Sequence, residues 1–113
     1  MHEASIAQEL INLATDQMRQ HQGQKVVDLK IEIGAFSGVV KDCLEFVFPE
    51  MAKGTALENC GLTIDVIPLE VTCSLCTKTS QYDEMTCLCK HCSSVQVTVT
   101  KGKEMKITQM EVV

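Results

Sequence analysis

The residues best equipped for chemistry are cysteines: Cys73-Ser-Leu-Cys76 is followed, after twelve intervening residues, by Cys89-Lys-His-Cys92. Each Cys-x-x-Cys turn can aim two thiolate sulfurs at one centre. Four thiolates around a tetrahedral d10 ion form a closed structural zinc site. Cys87 leaves a second register open, because Cys87 could stand in for Cys89, or His91 for one of the sulfurs. The pair Cys89/Cys92 is preferred, since it repeats the two-residue spacer of the first turn, whereas Cys-x-Cys points its sulfurs to opposite sides of an extended backbone. A zinc held by four thiolates has no open position. It folds the segment around it and does not catalyse.

His2 is the other metal candidate. By position alone it is a frayed terminal residue. However, the α-amine of Met1, the amide nitrogens of His2 and Glu3 and the His2 imidazole all fall within three residues. A flat, nitrogen-rich donor set of this kind suits Ni(II) or Cu(II), and the affinity order does not choose nickel over copper. The bulk of His2 disfavours removal of the initiator Met, so the amine is expected to be that of Met1. Ligation needs a neutral imidazole and a deprotonated amine, so binding is coupled to proton release, as suits loading and release.

These groups need a scaffold. From Glu3 to about His21, Ile6, Leu10, Leu13, Ala14 and Met18 recur at helical spacing, with Glu3 and Arg19 placed to suit the helix dipole and Gly23 as a stop. His21 reads as a solvated helix-end residue. Val27, Leu29, Ile31 and Ile33 then alternate with polar residues up to Gly34, which marks a half-buried strand. Val40, Leu44, Val47, Phe48 and Met51 mark a second helix, kinked by Pro49. Thr55-Ala-Leu-Glu58 has the form of a capping box starting a single turn.

A second strand runs from Leu62 to Val66. After the cysteines, Val95, Val97 and Val99 alternate with polar residues, and a third main strand, Met105 to Val112, closes the chain. Its alternation slips between Ile107 and Met110, as a bulge would require. The expected fold is α+β: two helices on a mainly three-stranded sheet, with an inserted zinc-ribbon-like four-cysteine domain on two strand-like arms. The expected division is residues 1–70 plus 105–113 as the α/β domain and residues 71–104 as the inserted zinc domain.

Composition agrees with an ordinary single globule of 113 residues, 45% hydrophobic and 22% charged, whose scarce aromatics leave the core to aliphatic side chains. The sequence shows neither a transmembrane-length apolar run nor a secretory signal pattern, so a cytoplasmic protein without membrane attachment is expected. Seven cysteines, an odd number with four grouped for metal, fit that compartment, and Cys43 and Cys60 read as buried free thiols.

Two competing readings are weaker. A zinc-ribbon module for protein or nucleic-acid interaction needs a basic patch. Between Glu70 and Lys106, however, five lysines face four acidic residues, and a four-thiolate zinc adds minus two. A thiol oxidoreductase would open a helix with its Cys-x-x-Cys, and neither pair precedes a helical pattern.

Over its whole length the sequence resembles the HypA/HybF family of nickel metallochaperones for NiFe-hydrogenase maturation. The resemblance rests on Met1-His2-Glu3, Ile33-Gly34-Ala35-Phe36-Ser37, Lys53-Gly54-Thr55 with Glu58, the two cysteine pairs, and Gly102-Lys103-Glu104-Met105 leading to Glu111. It implies a protein that is not an enzyme, with His2 as the essential nickel ligand assisted by Met1 and Glu3. It also implies structural Zn(II) on Cys73, Cys76, Cys89 and Cys92, and Ni(II) as transferable cargo. The implied partners are the GTPase HypB and the precursor of the NiFe-hydrogenase large subunit. A homodimer is carried as a further expectation, and nucleic acid is not. Where some relatives carry an acidic residue near the start of the second helix, this sequence has Val40, with Asp42 the nearest carboxylate. Where relatives often have Pro after the first Cys of the second pair, it has Lys90.

Overall fold

A computed structural model describes residues 3–82 and 88–113. The elements run α1 (Glu3–Gln20), β1 (Val26–Gly34), α2 (Lys41–Ala52), β2 (Gly61–Ile67), β3 (Leu69–Cys73), β4 (Thr79–Tyr82), β5 (Val97–Lys101) and β6 (Met105–Val112). They build two three-stranded sheets, ordered β2-β1-β6 and β4-β3-β5. In the first, β2 lies parallel and β6 antiparallel to the central β1. The molecule is elongated, 52 × 27 × 16 Å.

The period-two pattern of β1 buries Leu29, Ile31 and Ile33 on one face, against Ala7, Leu10, Ile11, Ala14 and Met18 of α1 and Leu44, Phe48 and Ala52 of α2. The opposite face carries Lys30–Asp65 and Lys106–Glu32 ion pairs, part exposed and hence worth little individually. The expected strand slip is present: Lys30 opposes Gln109 while Ile31 opposes Ile107, so Thr108 is the extra residue of a bulge. The Thr108 hydroxyl donates to the Lys30 carbonyl at 3.2 Å and fixes it there.

Several expectations are corrected. Leu13 is 45% exposed instead of joining the α1 stripe, because α1 buries its Leu10, Ala14 and Met18 line with Ala7 and Ile11 on one flank and leaves Leu13 on the other. Cys43 is exposed, one residue off the Leu44–Phe48–Ala52 face. Cys60 is half-buried; burial, and then the nearby Asp28, push its thiol up to about 11, which keeps it protonated and unreactive at neutral pH. Helix α2, by contrast, runs as expected past Pro49, ending three residues later at Ala52.

Residues 55–59 form a turn but not the capping box. The Thr55 hydroxyl accepts from the Leu57 N–H instead of that of Glu58, and donates to the Ala52 carbonyl.

The second sheet is small. Its core is Leu69, Val71 and Tyr82, with Phe36, Val97 and Val99 packed around them. Phe36 belongs to the loop after β1, so the first unit lends the second an aromatic ring. Strands β3 and β5, the expected arms, pair antiparallel; β4, which pairs with the other side of β3, was not expected from sequence.

The chain passes between the sheets at one crowded point. The Gly34 N–H donates to Glu104 O, the Ala35 N–H to Ile67 O and the Phe36 N–H to Gly102 O, each at 2.7 Å. A Cβ on Gly34 would lie 2.1 Å from the Gly102 carbonyl carbon, and Gly102, at φ +112°, leaves room for none either, with Leu69 Cα 2.7 Å away.

Candidate metal centres

Two turns of the same build carry the cysteines. In the first, Cys73 N–H donates to Lys78 O and Thr77 N–H to Cys73 O. In the second, Cys89 N–H donates to Ser94 O and Ser93 N–H to Cys89 O. The residue after the second cysteine is left-handed in both, Thr77 at φ 62° and Ser93 at φ 60°. That conformation turns the chain back so that two sulfurs point inward from each turn. Thr, β-branched, is an unusual occupant of it.

The ligand atoms of Cys73, Cys76, Cys89 and Cys92 all lie within 4.8 Å of one another. Cys73 and Cys92 sulfurs are 3.6 Å apart, as are those of Cys76 and Cys89. Zn–S bonds of about 2.3 Å at tetrahedral angles separate sulfurs by about 3.8 Å, so the cage is of the size that a zinc ion takes. Backbone N–H groups already face the thiolates: Cys76 N–H points at Cys73 Sγ (3.4 Å) and His91 N–H at Cys89 Sγ (3.3 Å).

Those N–H groups hold Cys73 down to about 6, the Cys76 amide contributing most, and Cys89 is lowered in the same way by the Cys92 and His91 amides. Cys92 goes the other way, to about 12: the Ser94 amide favours its thiolate, but the Cys73 sulfur, burial and the remaining sulfurs outweigh it. Four thiolates packed this closely need a cation to stay charged together.

His91 contributes its amide and is not part of the cluster, while Cys87, the alternative ligand, lies outside the described residues.

Tyr82 secures the second turn. Its hydroxyl donates to Leu88 O (2.8 Å) and accepts from Lys90 N–H (3.0 Å), and the Lys90 ammonium sits 4.5 Å from its ring centroid. Nothing in the cysteine spacing pointed to this residue. Tyr82→Phe is expected to remove one hydrogen bond each from the Leu88 carbonyl and the Lys90 amide, both in exposed residues, and cost about 1 kcal/mol, felt mainly as weaker zinc retention. Competition of each protein with a chromogenic chelator measures it, and unchanged zinc affinity would contradict the role.

Met1 and His2 lie outside the described residues. Glu3 opens α1, and its Oε2 accepts the Val40 N–H at 3.2 Å. Val40 is the N-cap of α2 and has no side-chain cap of its own. A carboxylate from another helix therefore stands at the positive end of α2, a favourable placement for it. Glu3 thus lies beside the start of α2, where Asp42 occupies the first turn.

The comparisons with known proteins agree with this geometry. The family described as hydrogenase/urease nickel incorporation, metallochaperone, hypA matches residues 1–112. Curated relatives include the hydrogenase maturation factor HypA of Aeromonas hydrophila, 38% identical over 99% of both chains, and that of Aquifex aeolicus, 32% identical over 98% of this chain and 96% of its own. The solution structure of the Ni metallochaperone HypA from Helicobacter pylori superposes with a TM-score of 0.76, covering all of this chain and 98% of that one at 24% identity, and so shares the fold. On the family match over essentially its full length, together with these relatives, the chain belongs to the HypA family of hydrogenase maturation factors.

Proposed function

We infer that this protein is a nickel metallochaperone, not an enzyme, which takes up Ni(II) at its amino terminus and passes it on for assembly of a nickel enzyme. The observation that supports the nickel site most directly is the Glu3–Val40 contact, which seats Glu3, the residue after His2 in sequence, at the positive end of α2. His2 is proposed as the principal ligand, with the Met1 amine and Glu3 as auxiliaries. Glu3 already gives one oxygen to an amide, so its share in ligation competes with that contact.

Zn(II) is proposed as a resident structural ion on Cys73, Cys76, Cys89 and Cys92, and Ni(II) as cargo. What zinc supplies is the cross-link between the two turns. Everything else in that segment is done by β3, β4 and β5, which hold the turns face to face. Residues 71–104 are proposed as the inserted zinc domain, carried on residues 1–70 and 105–113; the second sheet itself starts at Leu69. The proposed partners are the GTPase HypB and the NiFe-hydrogenase large-subunit precursor, in the cytoplasm. No helix among the described residues is long and apolar enough to cross a membrane.

The test is a Ni(II) titration of untagged, zinc-loaded protein beside its His2→Ala variant, followed by calorimetry and visible absorption. About one Ni(II) per chain is expected for the native protein, lost in the variant or on extension of the amino terminus, with zinc retained in each case. Equal nickel binding in native and variant protein would overturn the assignment.

A further inference from the structure

Four non-glycine residues among those described have positive φ: Gln22, Asn59, Thr77 and Ser93. Thr77 alone of these is β-branched, and in the left-handed region a branched Cβ crowds its own backbone. The second cysteine turn supplies the reference. Ser93, at φ 60°, takes the place that Thr77 takes at φ 62°, and their N–H groups donate to Cys89 O and Cys73 O, each at 2.9 Å. The two turns therefore share one backbone geometry, and the first carries the residue less suited to it.

A conformation of this kind persists only where its surroundings over-determine it. Thr77 is exposed, so no core packing holds it. Its hydroxyl donates to the carbonyl of the adjoining Cys76 at 2.6 Å. Beyond the turn's own bonds, it is held closed by Ser74, whose N–H and hydroxyl both donate to Gln96 O at 2.9 Å, and by the gathering of the Cys73 and Cys76 sulfurs with those of Cys89 and Cys92. The second turn has a further clasp, the Tyr82 hydroxyl between Leu88 O and Lys90 N–H.

We propose that Thr77 is a spring in the first cysteine turn: its strain works against the closed cluster, so that this turn, and not the second, yields first when zinc leaves. The inference rests on the reading of the four cysteines as a zinc site. As the cluster opens, Thr77 relaxes to negative φ, carries Cys76 away from the other sulfurs and frees Ser74 from Gln96, the residue that leads into β5. The zinc unit thus has a direction of opening, from the first turn towards β5, set by one branched side chain.

Competition of the zinc-loaded chain with a chromogenic chelator, beside amide hydrogen exchange, tests it. Thr77→Asn and Thr77→Gly remove the branch at an exposed position and are each expected to tighten zinc binding about tenfold. Thr77→Val keeps the branch, loses the hydroxyl bond and is expected to bind no more tightly than the native chain. Ser93→Thr sets the same branch in the second turn and is expected to weaken binding. In the native zinc-loaded protein the Cys73 and Thr77 amides should exchange faster than their counterparts Cys89 and Ser93, and Thr77→Asn should close that gap. Zinc content and circular dichroism confirm that each variant starts folded. Unchanged or weaker binding in both Thr77→Asn and Thr77→Gly overturns the proposal, as does exchange that begins at Cys89 and Ser93 in the native protein. A native chain that takes up no zinc removes the underlying site, and the spring with it.

Discussion

Cys73→Ala is expected to strip zinc from the chain and melt the second sheet while the first survives. The buried core of that sheet is two aliphatic side chains and one tyrosine, with three partly covered apolar residues around them. Full burial of such a residue contributes only about 1.5–3 kcal/mol, against about 1–2 kcal/mol of backbone entropy for every residue held in place. With roughly thirty residues to order, the sheet cannot hold without the metal, whose binding in small zinc modules contributes on the order of 10–16 kcal/mol.

The substitution removes one ligand and leaves the Cys76 amide facing no sulfur. The first sheet has its own core of fourteen buried residues, including both helices. Amide hydrogen exchange is the measurement: protection should be lost across residues 69–82 and 88–101 and kept in α1, α2 and β1. Uniform loss throughout the chain would show that the two sheets fold as one unit.

Gly34→Ala is the second large effect. The new methyl would fall 2.1–2.4 Å from backbone atoms of Gly102 and Lys103, and Gly102 is itself wedged against Leu69. Backbone cannot rotate aside as a side-chain tip can. Either the 2.7 Å bonds from Gly34, Ala35 and Phe36 break or the two sheets separate. Relief by local repacking is not available, so the cost is expected at about 3 kcal/mol or more, with Tm lowered by at least about 10 °C.

Gly61→Ala is the control, because its Cβ meets only the carboxylate tip of Asp28, at 2.6 Å. That tip can swing away, so a change within about 0.5 kcal/mol is expected. Thermal melts of the two zinc-loaded variants decide the matter, and equal losses would show that the crossing tolerates a side chain.

Much of this architecture was legible locally. Alternation from Leu29 to Ile33 set the central strand, although Val26 and not Val27 joins the core across an irregularity before Asp28. The slip between Ile107 and Met110 marked the bulge, because side-chain direction along a regular strand depends on parity. The equal spacers of the two cysteine pairs foretold two like turns, and the structure brings those four sulfurs together.

What could not be read there depends on partners far away in sequence. Thr79–Tyr82 has no run of large apolar residues, and becomes a strand because β3 offers it an edge and Tyr82 a place in a core. Leu13 keeps perfect helical period with its neighbours and still faces outward, since period fixes a stripe's direction but not its width. Whether Thr55 caps Glu58 or Leu57 is decided by Ala52, whose carbonyl takes the hydroxyl proton. The proposed amino-terminal site was read from the donor atoms of three adjacent residues; the contact of Glu3 with Val40 spans thirty-seven positions and could not be.

Phe36 packs into the second core, and Val40 holds Glu3. Only four Cα steps separate them, about 14 Å at full stretch. The strap is short and folded, with the Ser37 N–H donating to Gly34 O at 3.0 Å and Gly38 in the left-handed region. If the second sheet tilts away from the first, it must either surrender its aromatic ring or draw on the end of α2, and the carboxylate fastened there is the first to feel the pull. The backbone of five residues, not a chain of polar contacts, is then what links the second core to the Glu3 carboxylate.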